Sequence, residues 1–512
     1  MIEHMIIWPI LIPMIGGLLM LLPPFKGIER YAARRVFAVL LILAQIATAI
    51  AILLSASGNA PIFYAVGNWL PPFGIILYAD TLSAILVLLT TFLGLGVILY
   101  SLAGEDRAGR YYHPLIQFQI LGINGAFLTN DLFNLFVFFE VLLIASYSLL
   151  IHAGGKQKTE AALHYVILNL IGSSIFLFAL GTIYGAIGTL NIADMALKIS
   201  SLSESNLLLA QIGGALLLVV FGLKSAMLPL HFWLPKTYAA APAPVAALFA
   251  IMTKVGIYCI FRVYTVIYGV EAGELADMIQ PIIWPLAFVT IAIGTVGSLV
   301  SPTLKGIAGN LVIVSVGTLL IAFALRTPEA TAAALMYLIH STLATAALFL
   351  IADLIGLQRG KAGDRFVISR KLKNQSLLGS CFFVVAMVVA GLPPFSGFLG
   401  KLLILQAPTL NADKFMIFSA ILLSSLVTIV ALSRAGTTIF FRHAPVRDPV
   451  KDLNDSPDLS KWQITGVLVL LIASPLITIF GAQVIEMTQL AAQQLHDVEL
   501  LIDVMRLRGV EQ

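Results

Sequence analysis

Residues 219–235 read VVFGLKSAMLPLHFWLP, and residues 248–263 read LFAIMTKVGIYCIFRV. Each stretch is an apolar run with one lysine inside it, Lys224 in the first and Lys254 in the second. Similar runs recur from one end of the chain to the other, and about 20 apolar helical residues span a hydrocarbon core of roughly 30 Å. The alternation of apolar and polar residues that marks barrel strands is absent. Because backbone groups in lipid must be paired within their own segment, these runs are predicted to be transmembrane helices.

The composition of the chain leaves no room for a soluble module. The 512 residues are 59% hydrophobic and 11% charged, whereas soluble domains average about 25% charged residues. The net charge of +4 is too small to indicate nucleic-acid binding. The two cysteines, Cys259 and Cys381, form no CxxC pair, so no disulfide, metal site or cofactor is predicted. The opening MIEHMIIWPILIPMIGG has no basic segment and no cleavage site, and it is interpreted as the first membrane span.

Hydropathy and turn signals predict an all-α polytopic membrane protein with about 14 transmembrane helices. The predicted spans are residues 5–24, 35–55, 77–101, 113–130, 132–152, 161–187, 207–230, 244–267, 278–300, 305–326, 328–357, 377–407, 415–440 and 463–490.

Prolines interrupt the seventh and twelfth of these spans. Pro229 follows Lys224 in the seventh, and Pro393 and Pro394 precede Lys401 in the twelfth. A proline inside a helix removes a backbone hydrogen bond and weakens the helix there. The two broken helices lie five spans apart. A repeat with an odd number of spans places its second copy in the opposite orientation in the membrane. The two broken helices therefore indicate an inverted-repeat transporter. The predicted parts are helices 1–3 (1–112), a first five-helix repeat (113–267), a second, inverted repeat (268–440), and a loop, helix 14 and tail (441–512).

The distribution of Lys and Arg predicts the orientation of the chain. If the first connection is cytoplasmic, 21 of the 30 basic residues fall on the cytoplasmic side and 6 on the other, with Arg262 among the 6. This bias follows the positive-inside rule and places both termini outside. Three basic residues remain, Lys224, Lys254 and Lys401, and all three fall inside spans.

Ionisable residues inside the spans are the main candidate functional residues. One charge at the bilayer centre costs about 2.5–3.5 kcal/mol, so the three lysines and Glu140 together oppose insertion by roughly 10–14 kcal/mol. Glu140 has no basic residue within two turns on its own helix, so its partner is expected on another span. Such groups usually mark proton or ion paths, and an inert ion pair that fixes helix packing is the alternative.

Three more polar residues are candidates for the same path. His340 lies in an apolar run and titrates near neutral pH when unperturbed, with a buried packing histidine as the alternative. His231 follows Lys224 by seven residues and is expected to lie on the same helix face as Lys224. The alternative is that His231 is a hydrogen-bonded residue at a helix end. Tyr258 follows Lys254 by one turn on the same face.

Four motifs, in order over residues 131–401, resemble a known family. They read DLFNLFVFFEVLLIASY, GLKSAMLPLHFWLPKTYAAAPAPVAALFAIMTKVGIY, LIHSTLATAALFL and GLPPFSGFLGK. The chain resembles the antiporter-like proton-translocating subunits shared by respiratory complex I and the Mrp-type multisubunit sodium/proton antiporters. It is most similar to the D subunit of the Mrp type, because Lys236 follows Trp233-Leu234-Pro235 where complex I relatives usually have an acidic residue. Lys236 is a secondary site candidate, together with His231 and Tyr258.

The resemblance implies a role for each buried ionisable residue. Glu140 is expected to pair with Lys224, Lys254 to relay protons through internal water, and Lys401 to be the terminal group of a second channel. His340 is expected on the same path. The implied partners are other membrane subunits of an antiporter complex, the lipid bilayer, and H⁺ and Na⁺, with K⁺ or Li⁺ as alternative cations. The cation site is left open between this subunit and another.

The sequence therefore predicts a proton-translocating subunit of a multisubunit Na⁺/H⁺ antiporter in a bacterial inner membrane. Such a subunit is a secondary transporter and not an enzyme. Two alternatives stay open, a proton-pumping membrane subunit of NADH-quinone oxidoreductase and a membrane scaffold subunit that transports nothing.

Overall fold

The computed structural model describes residues 3–23, 31–58, 60–69, 71–443 and 457–503. Within these ranges the chain is mostly helical, with one two-stranded antiparallel sheet formed by β1 (Ile62–Ala65) and β2 (Ile76–Ala79). The α-helices are, in chain order, α1 (Trp8–Leu21), α2 (Tyr31–Gly58), α3 (Thr81–Ser101), α4 (Tyr112–Leu128), α5 (Leu132–Leu150), α6 (Lys156–Ile187), α7 (Ile192–Lys198), α8 (Glu204–Ser225), α9 (Leu234–Ala240), α10 (Ala243–Phe249), α11 (Met252–Val266), α12 (Gln280–Val300), α13 (Leu304–Ala324), α14 (Pro328–Arg359), α15 (Gln375–Ala390), α16 (Ser396–Gln406), α17 (Asn411–Phe441), α18 (Lys461–Ile479) and α19 (Gly481–His496).

The membrane-spanning character of the chain is confirmed. In the described part of the chain, 12 helical segments are long and apolar enough to cross a membrane. The other two of the 14 predicted spans fall on α4, which has 17 residues, and on the shorter apolar helices α15 and α16. The inverted relation between two five-helix repeats and the boundaries of the four predicted parts stay predictions.

The seventh predicted span leaves helical geometry directly after Lys224. α8 ends at Ser225, because the next residue, Ala226, has a left-handed conformation with a φ of +60°. The amide of Met227 and the indole N–H of Trp233 donate to carbonyls of the last turn, at 2.8 and 3.1 Å. These bonds satisfy acceptors that a helix end would otherwise leave buried and unpaired.

The twelfth predicted span is divided between α15 and α16. α15 ends at Ala390, and Gly391 follows with a φ of +81°, a conformation that glycine adopts without strain. The amides of Gly391 and Leu392 both donate to the carbonyl of Met387 at 3.1 Å, which closes the helix end. The chain then passes two prolines before α16 begins, and α16 carries Lys401 in its second turn.

Four helices form the centre of the bundle. The apolar stretches of α10–α11, α13 and α14 are almost entirely buried, whereas those of α2, α6 and α17 bury only about a third of their residues. The exposed apolar residues of the outer helices therefore form the surface that would contact lipid in a membrane. Lys254 on α11 and His340 on α14 lie in the interior and away from the lipid-facing surface.

Two sequence predictions are wrong at the level of the fold. Arg262 does not lie in an outer connection: it belongs to α11, where it is only 4% exposed. His231 does not share a helix face with Lys224, because the helical period stops at Ser225. The orientation of the chain stays a prediction, and six of the basic residues in its charge count lie outside the described residues, namely Lys26, Arg30, Arg447, Lys451, Arg506 and Arg508.

Candidate functional site

One end of the site joins α5, α6 and α8. Glu140 on α5 is half-buried and accepts a hydrogen bond from the hydroxyl of Ser173 on α6. Lys224 on α8 is buried, and its Nζ donates to Oδ1 of Asn169 on α6 at 3.0 Å. Because Asn169 and Ser173 are four residues apart, they lie on the same face of α6. This face of α6 therefore holds both the carboxylate and the ammonium.

The expected direct pairing of Glu140 with Lys224 is absent from this conformation. Among the residues that the structure describes, no carboxylate oxygen lies within 4.0 Å of the Lys224 ammonium. The Glu140 carboxylate and the Lys224 ammonium are instead bound by residues one turn apart on α6. The ring of Phe139, beside Glu140 on α5, lies 5.7 Å from Nζ of Lys224. The two charges are neighbours whose hydrogen bonds go to neutral groups on a third helix.

Lys254 lies next along the interior, on α11. Its side chain is fully buried, and its Nζ donates to Oγ of Ser315 on α13 at 2.7 Å. Gly256 lets α11 approach α8 closely at this level. A Cβ at Gly256 would lie 2.6 Å from the amide nitrogen of Ser225, the residue after Lys224. The helices that carry Lys224 and Lys254 are thus in backbone contact next to both lysines.

His340 on α14 lies against the break in the twelfth span. Its Nδ1 is 3.0 Å from Oγ of Ser396, which is 2.8 Å from Oγ of Ser474 on α18. The His340 ring packs directly on Gly397, where a Cβ would lie 2.7 Å from the ring. Gly397 lies against Gly391, at which a Cβ would be 3.2 Å from the Gly397 carbonyl oxygen and 3.2 Å from Nζ of Lys401. His340 therefore lies at the same helix break as Lys401.

Lys401 ends the row at the break in the twelfth span. Its Nζ donates to the carbonyl of Ala390 at 2.8 Å and to Oγ of Ser425 at 2.8 Å. Ala390 is the last residue of α15, so its carbonyl is available because the helix stops there. The break thus supplies an acceptor for the ammonium.

The contacts above bring Glu140 and Lys224 to one face of α6, bring the helices of Lys224 and Lys254 together, and hold His340 and Lys401 at one helix break. We call these five residues, in chain order, the interior row. The hydrogen bonds of the three lysines go to neutral oxygens. A buried ammonium without a close carboxylate is costly to keep charged. Its charge therefore responds to small changes in nearby charge or hydration, as proton transfer requires.

The three secondary candidates lie outside this row. Lys236 is exposed on α9. His231 is half-buried in the segment between α8 and α9, and its Nδ1 has no hydrogen-bond partner among the described residues. Tyr258 is buried on α11, and its hydroxyl donates to the carbonyl of Phe127 at 2.9 Å.

Sequence reasoning missed the neutral partners of the row and two ion pairs, one buried and one partly exposed. The neutral partners are serines and an asparagine, which are too common in membrane helices to stand out. Asp80 at the start of α3 is paired with Arg262 at 2.7 Å. At the opposite end of α3, the Tyr100 hydroxyl donates to Asp353 at 2.9 Å, and Lys305 pairs with the same carboxylate at 2.8 Å. Charged residues near the ends of spans can be paired in a prediction only when it is known which helices face each other.

Comparison with known proteins gives consistent similarities over the whole chain. Residues 129–428 match the family described as NADH:quinone oxidoreductase/Mrp antiporter, TM. The chain is 38% identical over 504 residues to the D subunit of a probable K⁺/H⁺ antiporter of Rhizobium meliloti (strain 1021), covering 92% of this chain and 91% of the relative. It is 38% identical over 441 residues to the D subunit of a Na⁺/H⁺ antiporter of Bacillus subtilis (strain 168), covering 84% of this chain and 86% of that protein.

Two solved structures share the fold over nearly the full length. A chain of the Mrp complex from Dietzia sp. DQ12-45-1b superposes with a TM-score of 0.82 at 26% identity, covering 98% of this chain and 99% of that one. A chain of respiratory complex I from Thermus thermophilus superposes with a TM-score of 0.78 at 21% identity, covering 97% and 99%. At 21% identity, the second similarity concerns the fold alone.

Proposed function

The chain belongs to the NADH:quinone oxidoreductase/Mrp antiporter family of membrane proteins, and on that premise we propose that it is the proton-translocating subunit of a multisubunit cation/proton antiporter. The observation that carries the proposal is the interior row of Glu140, Lys224, Lys254, His340 and Lys401. Ionisable groups inside a membrane domain are costly to bury, and they usually mark proton or ion paths. The similarity to the D subunits of antiporters supports this role over that of a complex I subunit.

The transport step we propose uses the two positions open to Lys224. In the structure Lys224 is held by Asn169 while Glu140 is held by Ser173. A proton that reaches this end of the row changes the charge on Lys224 or Glu140 and moves the lysine between Asn169 and Glu140. The altered field then changes water access to Lys254, and the proton passes by His340 to Lys401. Inward proton flow of this kind supplies about 2.3 kcal/mol per charge per 100 mV for cation export.

The cation and the partner subunits belong to the proposal as well. The two relatives are named for K⁺/H⁺ and for Na⁺/H⁺ antiport, so Na⁺, K⁺ and Li⁺ are all to be compared. The solved relatives are chains of multisubunit membrane complexes, and other membrane subunits are the expected partners here. We place the complex in a bacterial cytoplasmic membrane with both termini outside, following the charge bias. The row crosses from the first proposed repeat (113–267) into the second (268–440).

The test is antiport in inverted vesicles from a bacterial host without its own sodium/proton antiporters, expressing the complete complex. Addition of Na⁺, K⁺ or Li⁺ should dissipate a preformed pH gradient, which is measured with a pH-sensitive dye. Glu140→Gln and Lys224→Gln should each lower the initial rate by at least about tenfold, within the range expected for loss of a proton-transfer group. Lys156→Gln is the matched control, because the Lys156 side chain at the start of α6 is 90% exposed and lies outside the row.

Two results would overturn the proposal. One is a full antiport rate in Glu140→Gln and Lys224→Gln complexes that assemble normally, which would leave the scaffold role. The other is purification of the chain together with flavin and iron–sulfur subunits, with loss of NADH oxidation on its deletion. That result would make the chain a complex I subunit.

A further inference from the structure

α11 carries a second set of polar residues on the face that bears Lys254. Tyr258 and Arg262 follow Lys254 at intervals of four residues, so the three side chains lie above one another on one face. Arg262 lies about 12 Å from Lys254 along the helix axis. Both Tyr258 and Arg262 are only 4% exposed. The interior row uses Lys254 alone, which leaves the rest of this face without a role.

These residues form a closed polar cluster with the start of α3. The Arg262 guanidinium is 2.7 Å from Oδ2 of Asp80, and it donates to the Tyr258 hydroxyl at 3.3 Å and to Oγ of Ser83 at 3.2 Å. The hydroxyls of Tyr258 and Ser83 are 3.4 Å apart. Asp80 and Ser83 are completely buried. The cluster therefore extends from Tyr258, one turn from Lys254 on α11, to the end of the bundle where α3 begins.

Helix packing alone gives a weak reason for this cluster. Oδ1 of Asp80 already caps α3 by accepting from the amide of Ser83 at 2.8 Å, and an asparagine would serve that purpose equally well. A buried ion pair adds little stability compared with apolar residues of similar size, because both charges lose their hydration. Ionisable groups kept inside a membrane domain at such a cost usually take part in ion or proton movement.

We propose that Asp80, Tyr258 and Arg262 form the outer half of the proton path, joining Lys254 to the outer face of the membrane. The inference rests on the proposed antiport function and on the orientation given by the charge bias, which puts the start of α3 outside. Asp80 takes a proton from outer water and releases Arg262. The Tyr258 hydroxyl then turns from the Phe127 carbonyl, passes its proton to the neutral amine of Lys254 and takes one from Asp80. The net change is one proton moved from outer water to Lys254, and the ion pair of Asp80 with Arg262 is restored.

In this scheme Arg262 is a positioning residue. It holds the Asp80 carboxylate next to Tyr258 and keeps it ionised between transfers. Arg262→Lys preserves the charge and is expected to retain transport to within about threefold, whereas Arg262→Gln removes the charge and is expected to lose it.

The test uses the purified complex in proteoliposomes of one orientation, with the pH of the outer and cytoplasmic faces set separately. Asp80→Asn and Tyr258→Phe should each lower the cation-dependent proton flux by at least about tenfold and flatten its dependence on outer pH. The dependence on cytoplasmic pH and the half-saturating cation concentration should stay at wild-type values. The double variant Asp80→Asn/Arg262→Gln leaves no uncompensated buried charge, so it should assemble and still fail to transport.

The matched control is Asp277→Asn with Arg326→Gln. These two residues form another Asp–Arg pair among the described residues, but they are 24% and 34% exposed and lie outside the face of α11 that bears Lys254. The control should keep the wild-type rate and outer-pH profile. Assembled Asp80→Asn and Tyr258→Phe complexes with a wild-type rate and profile would overturn the inference, as would equal changes in the two pH profiles. A wild-type complex without any cation-dependent proton flux would instead refute the proposed function.

Discussion

Asn169→Leu tests whether the neutral acceptor on α6 keeps Lys224 away from Glu140. The substitution keeps the side-chain size roughly constant and removes the acceptor that now lies 3.0 Å from Nζ of Lys224. A hydrogen bond to a charged group contributes about 1.5–3 kcal/mol. Loss of that amount shifts the population toward the Glu140-paired position by about 10- to 150-fold. Lys224 would then be held on Glu140 for most of the transport cycle.

The assay for Asn169→Leu combines transport with structure. The cation-dependent proton flux of the reconstituted complex should fall by about tenfold or more, because Lys224 no longer returns to Asn169 at a comparable frequency. A cryo-EM structure of the variant should show Lys224 and Glu140 at ion-pair distance. Ser174→Ala is the matched control, since Ser174 lies on α6 but is exposed and donates only to the carbonyl of Leu170. A wild-type flux with Lys224 still distant from Glu140 would refute the reasoning.

Two further predictions concern the packing of His340 and the stability of a polar loop. At Gly397 a Cβ would lie 2.3 Å from the carbonyl oxygen of Val388 and 2.7 Å from the His340 ring, so Gly397→Val should displace both α15 and the ring, and antiport should be lost. At Gly185 a Cβ meets no atom within 4 Å, so Gly185→Val should transport normally, and equal rates in the two variants would contradict this. Burial raises the pKa of Asp106, but hydrogen bonds from His113 and Arg35 outweigh it and lower the pKa to about 2. Because the folded pKa lies below the unfolded value of about 3.9, Asp106 stabilises the fold at neutral pH by about 2–3 kcal/mol, a contribution lost as the pH falls from about 4 toward 2. In thermal unfolding of the detergent-solubilised protein, the loss of stability at acid pH should be smaller in Asp106→Asn than in the wild type. The same dependence of stability on pH in both proteins would contradict the assignment.

The ionisable residues of the row could be identified from the sequence because charged residues are unusual inside apolar runs. Glu140, Lys224, Lys254 and Lys401 are visible without any structure, since each interrupts a stretch that lipid would otherwise accept. Their order across the bundle was not predictable from periodicity. It depends on how α8, α11, α14 and α16 pack, and on close approaches such as the one at Gly256.

The partners of these charges were not predictable from the sequence. Asn169 and Ser173 decide that Lys224 and Glu140 stay apart in this conformation, and neither carries a signal that separates it from other polar residues of membrane helices. Arg262 was misplaced for a related reason. A basic residue one turn from the end of a span is usually interpreted as reaching water, and only the side-chain contacts between α11 and the start of α3 place Arg262 beside Asp80.

The most direct measurement of the central claim is the proton flux of Lys254→Met, because Lys254 lies in the middle of the row and is completely buried. In assembled, reconstituted complex, we predict that cation-dependent proton flux falls by at least about a hundredfold, since methionine cannot carry a proton past this point. Lys156→Met, at an exposed lysine that is not a site candidate, should keep the wild-type rate. A Lys254→Met complex that assembles and transports at the wild-type rate would contradict the account.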